Sequence, residues 1–187
     1  AETEGPFDVL HVHDWLPSWA AFAVQDLHGT RLVATIHATE RGRYRGHLHS
    51  HMSGDIDRAE ADLCRRADHI IVCSSAMMDE VVRYFGVEPA RITVIPNGID
   101  GSRFVPLREA DLTEFRARYA LPHEQIVFNV GRLVYEKGAD LLIEAVSAVL
   151  QEAPNTRFVI AGKGPMLSRL ERRVAELHIG SHVTLAG

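Results

Sequence analysis

The chain is predicted to be an α/β protein made of two units, each a sheet of parallel strands flanked by helices. Three observations support this. Short β-branched apolar runs alternate with longer helical periods along the whole chain. The runs are apolar at nearly every position rather than every second one, the pattern of parallel strands buried on both faces. A single turn-rich interruption, Pro96-Asn97-Gly98-Ile99-Asp100-Gly101, breaks the alternation near its middle.

Taken in order, the first strand is expected at 9–12 and its helix at 19–27, where Trp15 and Trp19 read as packing anchors. The second strand spans 32–36 and leads into a polar loop rich in Gly, Arg and His, from which a helix rises at 56–66. A strand at 70–73 and a helix at 77–85 follow, with Ser75 as the expected cap and Asp79 and Glu80 favourable near the positive helix start. The strand at 93–95 closes the first unit, and a polar stretch at 106–114 connects it to the second. There, a helix at 112–119 precedes the strand at 126–130. The helix Ala139–Glu152 has the clearest period, with Leu142, Ile143, Val146, Val149 and Leu150 on one stripe. A strand at 158–161, a helix at 166–177 and a strand at 183–185 complete the pattern. The boundary falls near residue 104, giving units 1–104 and 105–187.

Composition narrows the function classes. A formal net charge of −5 leaves no global basic field for nucleic acid or anionic membrane, so an anionic ligand must be held locally. No apolar run approaches the ~20 residues of a membrane span. The N-terminal Ala1-Glu-Thr-Glu-Gly5 lacks the basic and apolar regions of a signal peptide, and a cytoplasmic setting is the default expectation. The two cysteines, Cys64 and Cys73, make no disulfide framework and read as free buried thiols.

The most informative segment is the strand 126–130 running into Gly131-Arg132 and then Glu136-Lys137-Gly138 before a helix. In a doubly wound sheet such a junction lies at the carboxyl edge of the strands, where ligands bind. Two cations five residues apart, together with unpaired N–H groups at a helix start, suit a diphosphate. Two histidine clusters compete for attention, His11-x-His13-Asp14 and His47-x-His49-x-His51. A His-x-His pair after a strand also suits a zinc hydrolase, in which imidazoles bind the metal that activates water. The second cluster lies in the polar loop and reads as solvated. Glu40 reads equally as an active-site carboxylate or as a surface partner of Arg41 or Arg43, and it is not assigned to catalysis.

Four patches occur in order: Phe7 to Trp15 around His13-Asp14, Ala34 to Arg43 around His37, Val94 to Asp100 around Asn97, and Gly131-Arg132 to Lys137-Gly138 with Ala161-Gly162-Lys163-Gly164-Pro165 one strand later. Together they resemble retaining glycosyltransferases of the glycogen- and starch-synthase type, of families 4 and 5. That group has the GT-B fold, two Rossmann-like domains facing each other across a cleft. The resemblance implies the C-terminal part of the acceptor-side domain, with the crossover, at 1–104, and the N-terminal part of the nucleotide-sugar-binding domain at 105–187. Both units would be incomplete. The strands a truncated sheet loses would leave exposed edges and apolar faces that favour self-association.

The resemblance also assigns roles. Arg132 and Lys137 would hold the donor diphosphate and offset the charge of the leaving group, with no metal or other cofactor required. His37 would line the donor-sugar pocket, and His13 and Asp14 the neighbouring wall. Asn97 reads first as a turn former and second as a cleft residue. Gly131, Gly162 and Gly164 would let backbone approach the nucleotide, while Lys163 departs from the acidic residue often found between the two glycines. The implied reaction moves a hexose, glucose first, from an ADP-, UDP- or GDP-sugar to a glucan or other sugar acceptor. The alternatives are a non-catalytic nucleotide-binding module and the zinc hydrolase built on His11 and His13.

Overall fold

The computed structural model describes residues 7–187. The segment 1–5, read above for the absence of a leader, lies outside the described residues. The chain divides into two compact units, one ending at Ile99 and the other starting at Asp100.

The first unit contains β1 (Val9–His13), α1 (Ser18–His28), β2 (Arg31–Ile36), α2 (Glu40–Arg43), α3 (His51–Arg66), β3 (His69–Val72), α4 (Ser75–Phe85) and β4 (Ile92–Val94). Its sheet runs β1-β2-β3-β4 with every neighbouring pair parallel. Parallel neighbours need a crossover between them, and α1, α3 and α4 supply it. Leu32, Ala34 and Ile36 of β2, Ile70 and Val72 of β3, and Leu63 and Val81 of α3 and α4 close one core.

The second unit contains α5 (Glu109–Ala117), β5 (Gln125–Val130), α6 (Ala139–Glu152), β6 (Thr156–Ala161), α7 (Leu167–Glu176) and β7 (Val183–Ala186). Its sheet order is β5-β6-β7, again all parallel. Ile143 and Val146 of α6 and Leu170 of α7 pack with Phe158 and Ile160 of β6 and Val183 of β7. The α/β class and the parallel sheets agree with the sequence reading.

Several local expectations need correction. Burial is uneven among the strands: β2 and β6 are largely inaccessible, whereas Val9 of β1 is exposed, as are Phe128 and Val130 of β5. A continuous apolar run marks a parallel strand, but whether helices cover both faces depends on neighbours it does not encode. Helix α3 starts five residues earlier than the 56 expected, because Ser50, in extended conformation, accepts a bond from the Ser53 amide and caps it. The third histidine of the loop cluster, His51, therefore opens a helix, and His47, His49 and His51 are all exposed. The cap of α4 is Ser74 rather than Ser75: Ser74 is extended and its hydroxyl accepts from the Met77 amide at 3.2 Å, while Ser75 is already helical. Trp19 is exposed and makes an edge contact with Trp15 instead of anchoring a core. Cys64 is a free buried thiol, and burial pushes its pKa up to about 12, whereas Cys73, also free, is only half-buried beyond the end of β3.

Candidate functional site

Two constellations stand at the carboxyl ends of the strands, one in each unit. In the first, the pairing register sets β1, β2 and β3 side by side, with His13 opposite Thr35 and Ile36 opposite Val72. The residues just past each strand are thereby gathered on one edge. His11 and His13, two apart on a strand, share a face. The His11 Nε2 lies 2.8 Å from the Thr35 hydroxyl, and the His13 Nδ1 lies 2.9 Å from the His37 Nε2. Asp14 adopts a left-handed φ of 57°, which Asp tolerates better than most residues. Its amide donates to the Thr35 carbonyl and its carboxylate accepts from the His37 amide at 2.8 Å. Asn97, beyond β4, reaches Cys73 with its side-chain oxygen. The structure therefore brings His13, Asp14, His37 and Asn97 together, with Cys73 among them. Desolvation, followed by the neighbouring His13 and His37, holds the His11 pKa below its ordinary value.

The loop that carries His37 is held from beneath. Thr39 caps α2 by accepting from the Gly42 amide, and its hydroxyl donates to Glu80. The Glu40 amide donates to both oxygens of Glu60, at 3.0 and 2.8 Å, and Arg41 makes a bidentate bond to Asp57. Arg43 approaches Glu40 and Glu60 at 3.6 and 3.8 Å. Glu40 is buried here, so its approach to Arg43 is not the surface pair that was one of its two readings. Glu60 is fully buried, and desolvation raises its pKa from an ordinary 4.5 to about 7. Sequence reasoning missed Glu60. Its signal was available: it interrupts the buried stripe Ala59, Leu63 and Cys64 of α3 at a position where a carboxylate needs a partner.

In the second unit, β5 ends at Val130 and the chain turns through Gly131 and Arg132 into a short 3₁₀ turn, Tyr135–Lys137, before Gly138, in left-handed conformation, opens α6. Gly131, Arg132, Gly162 and Lys163 line a shallow hollow of about 420 Å³ together with Val130, Ala161 and Gly187. The glycines are sterically required: a Cβ on Gly162, whose φ is +151°, would lie 1.8 Å from the Gly131 carbonyl oxygen. On Gly164 it would lie 2.3 Å from the Leu133 carbonyl oxygen. Arg132 is mostly exposed and bonded to Glu136 at 3.2 Å. Lys137 stands at the end of the 3₁₀ turn and does not line the hollow, whereas Lys163, noted above only as a departure, does. Among the described residues neither lysine forms an ion pair, and no group of three or more His, Cys, Asp or Glu is placed to hold a metal ion.

The sequence model described as Glycosyltransferase Family 4 covers residues 2–103, and that described as Glycosyl transferases group 1 covers 111–187. The chain belongs to the family 4 glycosyltransferases. It is 39% identical over 157 residues to a glycogen synthase of Mycobacterium tuberculosis, covering 84% of this chain and 36% of that protein. An uncharacterized glycosyltransferase of Methanocaldococcus jannaschii is 32% identical, over 97% of this chain and 46% of its own length. Among solved structures, a sucrose-phosphate synthase from Thermosynechococcus elongatus matches with a TM-score of 0.75 and 23% identity, over 100% of this chain and 46% of that one. HepE of Anabaena, solved in complex with UDP-glucose, matches with a TM-score of 0.74 and 19% identity, over 96% of this chain and 48% of that one. The glycosyltransferase chain thus spans between a third and a half of the length of these relatives. Its two parallel sheets agree with the α/β organisation of its GT-B relatives. No helix among the described residues is long and apolar enough to cross a membrane.

Proposed function

We propose that the chain carries part of the donor site and part of the sugar-side wall of a retaining hexosyltransferase. It moves a hexose, glucose first, from a nucleoside diphosphate sugar to a glucan or other sugar acceptor. The observation that carries this reading is the β5–α6 junction. Its Arg132 lines a hollow with Gly162, whose missing side chain allows close approach to the Gly131 backbone, at the strand edge where ligands of such sheets bind. The relative named glycogen synthase and the neighbour solved with UDP-glucose support the same substrate class.

In this reading the bond between the anomeric carbon and the diphosphate oxygen loosens and positive charge builds on the sugar. The acceptor hydroxyl then attacks from the face the diphosphate leaves, which preserves configuration. Arg132 and Lys137 offset the charge that develops on the diphosphate, so no metal cofactor is needed; preorganised charge of this kind is often the largest catalytic term. Gly131, Gly162 and Gly164 admit the nucleotide to the backbone. His37 shapes the sugar pocket, with His13, Asp14 and Asn97 on the same strand edge. The setting is cytoplasmic, and the exposed face of β5 favours self-association. A second reading, a nucleotide-binding module without transfer, would use the same glycine-lined hollow.

Calorimetric titration with ADP, UDP and GDP, with and without EDTA, tests the site. The expected outcome is metal-independent binding of one diphosphate, abolished in the Arg132→Ala, Lys137→Ala double variant. A double variant that binds as the parent does would remove the assignment. Transfer assayed with the matching nucleotide sugar separates the two readings.

A further inference from the structure

The polar side chains that end the strands of the first sheet form one connected line.

Each of the four strands contributes one polar group at or beyond its end: His13, His37, Cys73 and Asn97. Their contacts run across the sheet in strand order. The His13 Nδ1 lies 2.9 Å from the His37 Nε2, the His37 Nδ1 lies 3.5 Å from the Cys73 sulfur, and that sulfur lies 3.4 Å from the Asn97 oxygen. The His37 backbone is pinned by Asp14 at 2.8 Å, so the ring has a fixed origin.

With the Asn97 amide oriented as it stands and a neutral His37, one arrangement of protons follows. The Asn97 carbonyl oxygen can only accept, so the Cys73 thiol proton points to it. The sulfur has only lone pairs left for His37, so the His37 Nδ1 carries a proton and donates it. The His37 Nε2 is therefore a lone pair, which accepts from the His13 Nδ1–H. We propose that Cys73 is a positioning residue that holds His37 in the Nδ1–H tautomer, in a one-way hydrogen-bond relay from His13 to Asn97. Which imidazole nitrogen bears the proton is set by the bond the other makes, and here every bond in the line is set from its Asn97 end. His37 consequently presents an acceptor at Nε2. A ligand that displaces His13 there must bring a hydrogen-bond donor, such as a neutral hydroxyl, and a second acceptor is excluded.

The inference bears on the proposed transfer reaction only through His37, and its test needs no ligand, so the two can fail separately. Long-range ¹H–¹⁵N correlation spectra of the histidine-labelled chain at neutral pH report each tautomer, with His37 assigned by loss of its signals in His37→Gln. The parent is expected to show His37 protonated at Nδ1 and unprotonated at Nε2. Cys73→Ala removes the acceptor and should exchange the two nitrogen shifts toward the Nε2–H form, while Cys73→Ser, whose hydroxyl can both donate and accept, should restore the parent pattern. Asn97→Ala should also reverse the relay, because the thiol proton then turns to His37. A merely structural role for Cys73 would leave the tautomer unmoved while amide dispersion changed. An Nε2–H tautomer in the parent, or a parent-like tautomer in both alanine variants, would overturn the proposal.

Discussion

At the scale of single residues, the proposed donor loop depends on what is absent as much as on what is charged. Gly162 has no Cβ because the Gly131 carbonyl oxygen occupies its place, and its φ of +151° is one that side chains rarely adopt. Gly162→Ala is expected to cost more than about 2 kcal/mol, read as a lower urea midpoint, since clash and backbone strain add. Lys163 lines the same hollow as Arg132, so charge reversal there should weaken diphosphate binding. Lys163→Glu is expected to raise Kd on the order of tenfold at low salt and by less at high salt, as local electrostatics require. An unchanged Kd in calorimetry would place Lys163 outside the site. Arg132 and Lys137 could be singled out from the sequence because the argument for them is local spacing after a strand, yet only Arg132 lines the hollow. Lys163 was legible only as an oddity between two glycines, because its neighbourhood depends on β5 and β6 pairing.

At the scale of elements, the loop after β2 is a small buried electrostatic structure. Glu60 projects from α3 under the start of α2 and accepts the Glu40 amide with both oxygens. Burial keeps its carboxyl protonated up to about pH 7. The folded chain therefore binds this proton more tightly than the unfolded chain does. Its contribution makes stability fall as pH rises from about 4.5 to about 7, and leaves it level above that. Glu60→Gln, which keeps an acceptor for the Glu40 amide and has no proton to lose, should flatten that part of the profile in urea melts. It should also raise stability at pH 8 relative to the parent, by a few kcal/mol at most. A profile with the parent's slope would remove Glu60 as its source. The helix period of α3 was readable, yet the purpose of a carboxylate on its apolar stripe was not. That purpose exists only where the loop from β2 folds over the helix.

At the scale of the whole molecule, the two sheets differ in how much apolar surface they leave exposed. Ile126, Phe128 and Val130 alternate onto one face of β5, the last two exposed, and α5 leans over part of that face, leaving a groove of about 370 Å³. Contiguous apolar surface of this kind promotes association. Sedimentation velocity is expected to show a weight-average mass that rises with concentration, and Phe128→Asp should return it toward the monomer. A parent that stays monomeric throughout would set this expectation aside.

What the residues determined by themselves were the properties written in local order. The alternation of β-branched runs with helical stripes predicted parallel α/β units, the Pro-Asn-Gly turn cluster marked the interruption between them, and the four motif patches pointed to the glycosyltransferase family. Tertiary structure decided what depends on residues distant along the chain. It set which strands are covered on both faces, why Glu40 and Glu60 are buried together, and that His13, His37, Cys73 and Asn97 form one line. The physical reason is register: parallel pairing aligns strand ends that lie 24 or 36 residues apart in sequence, and only that alignment turns four scattered polar groups into a chain of hydrogen bonds.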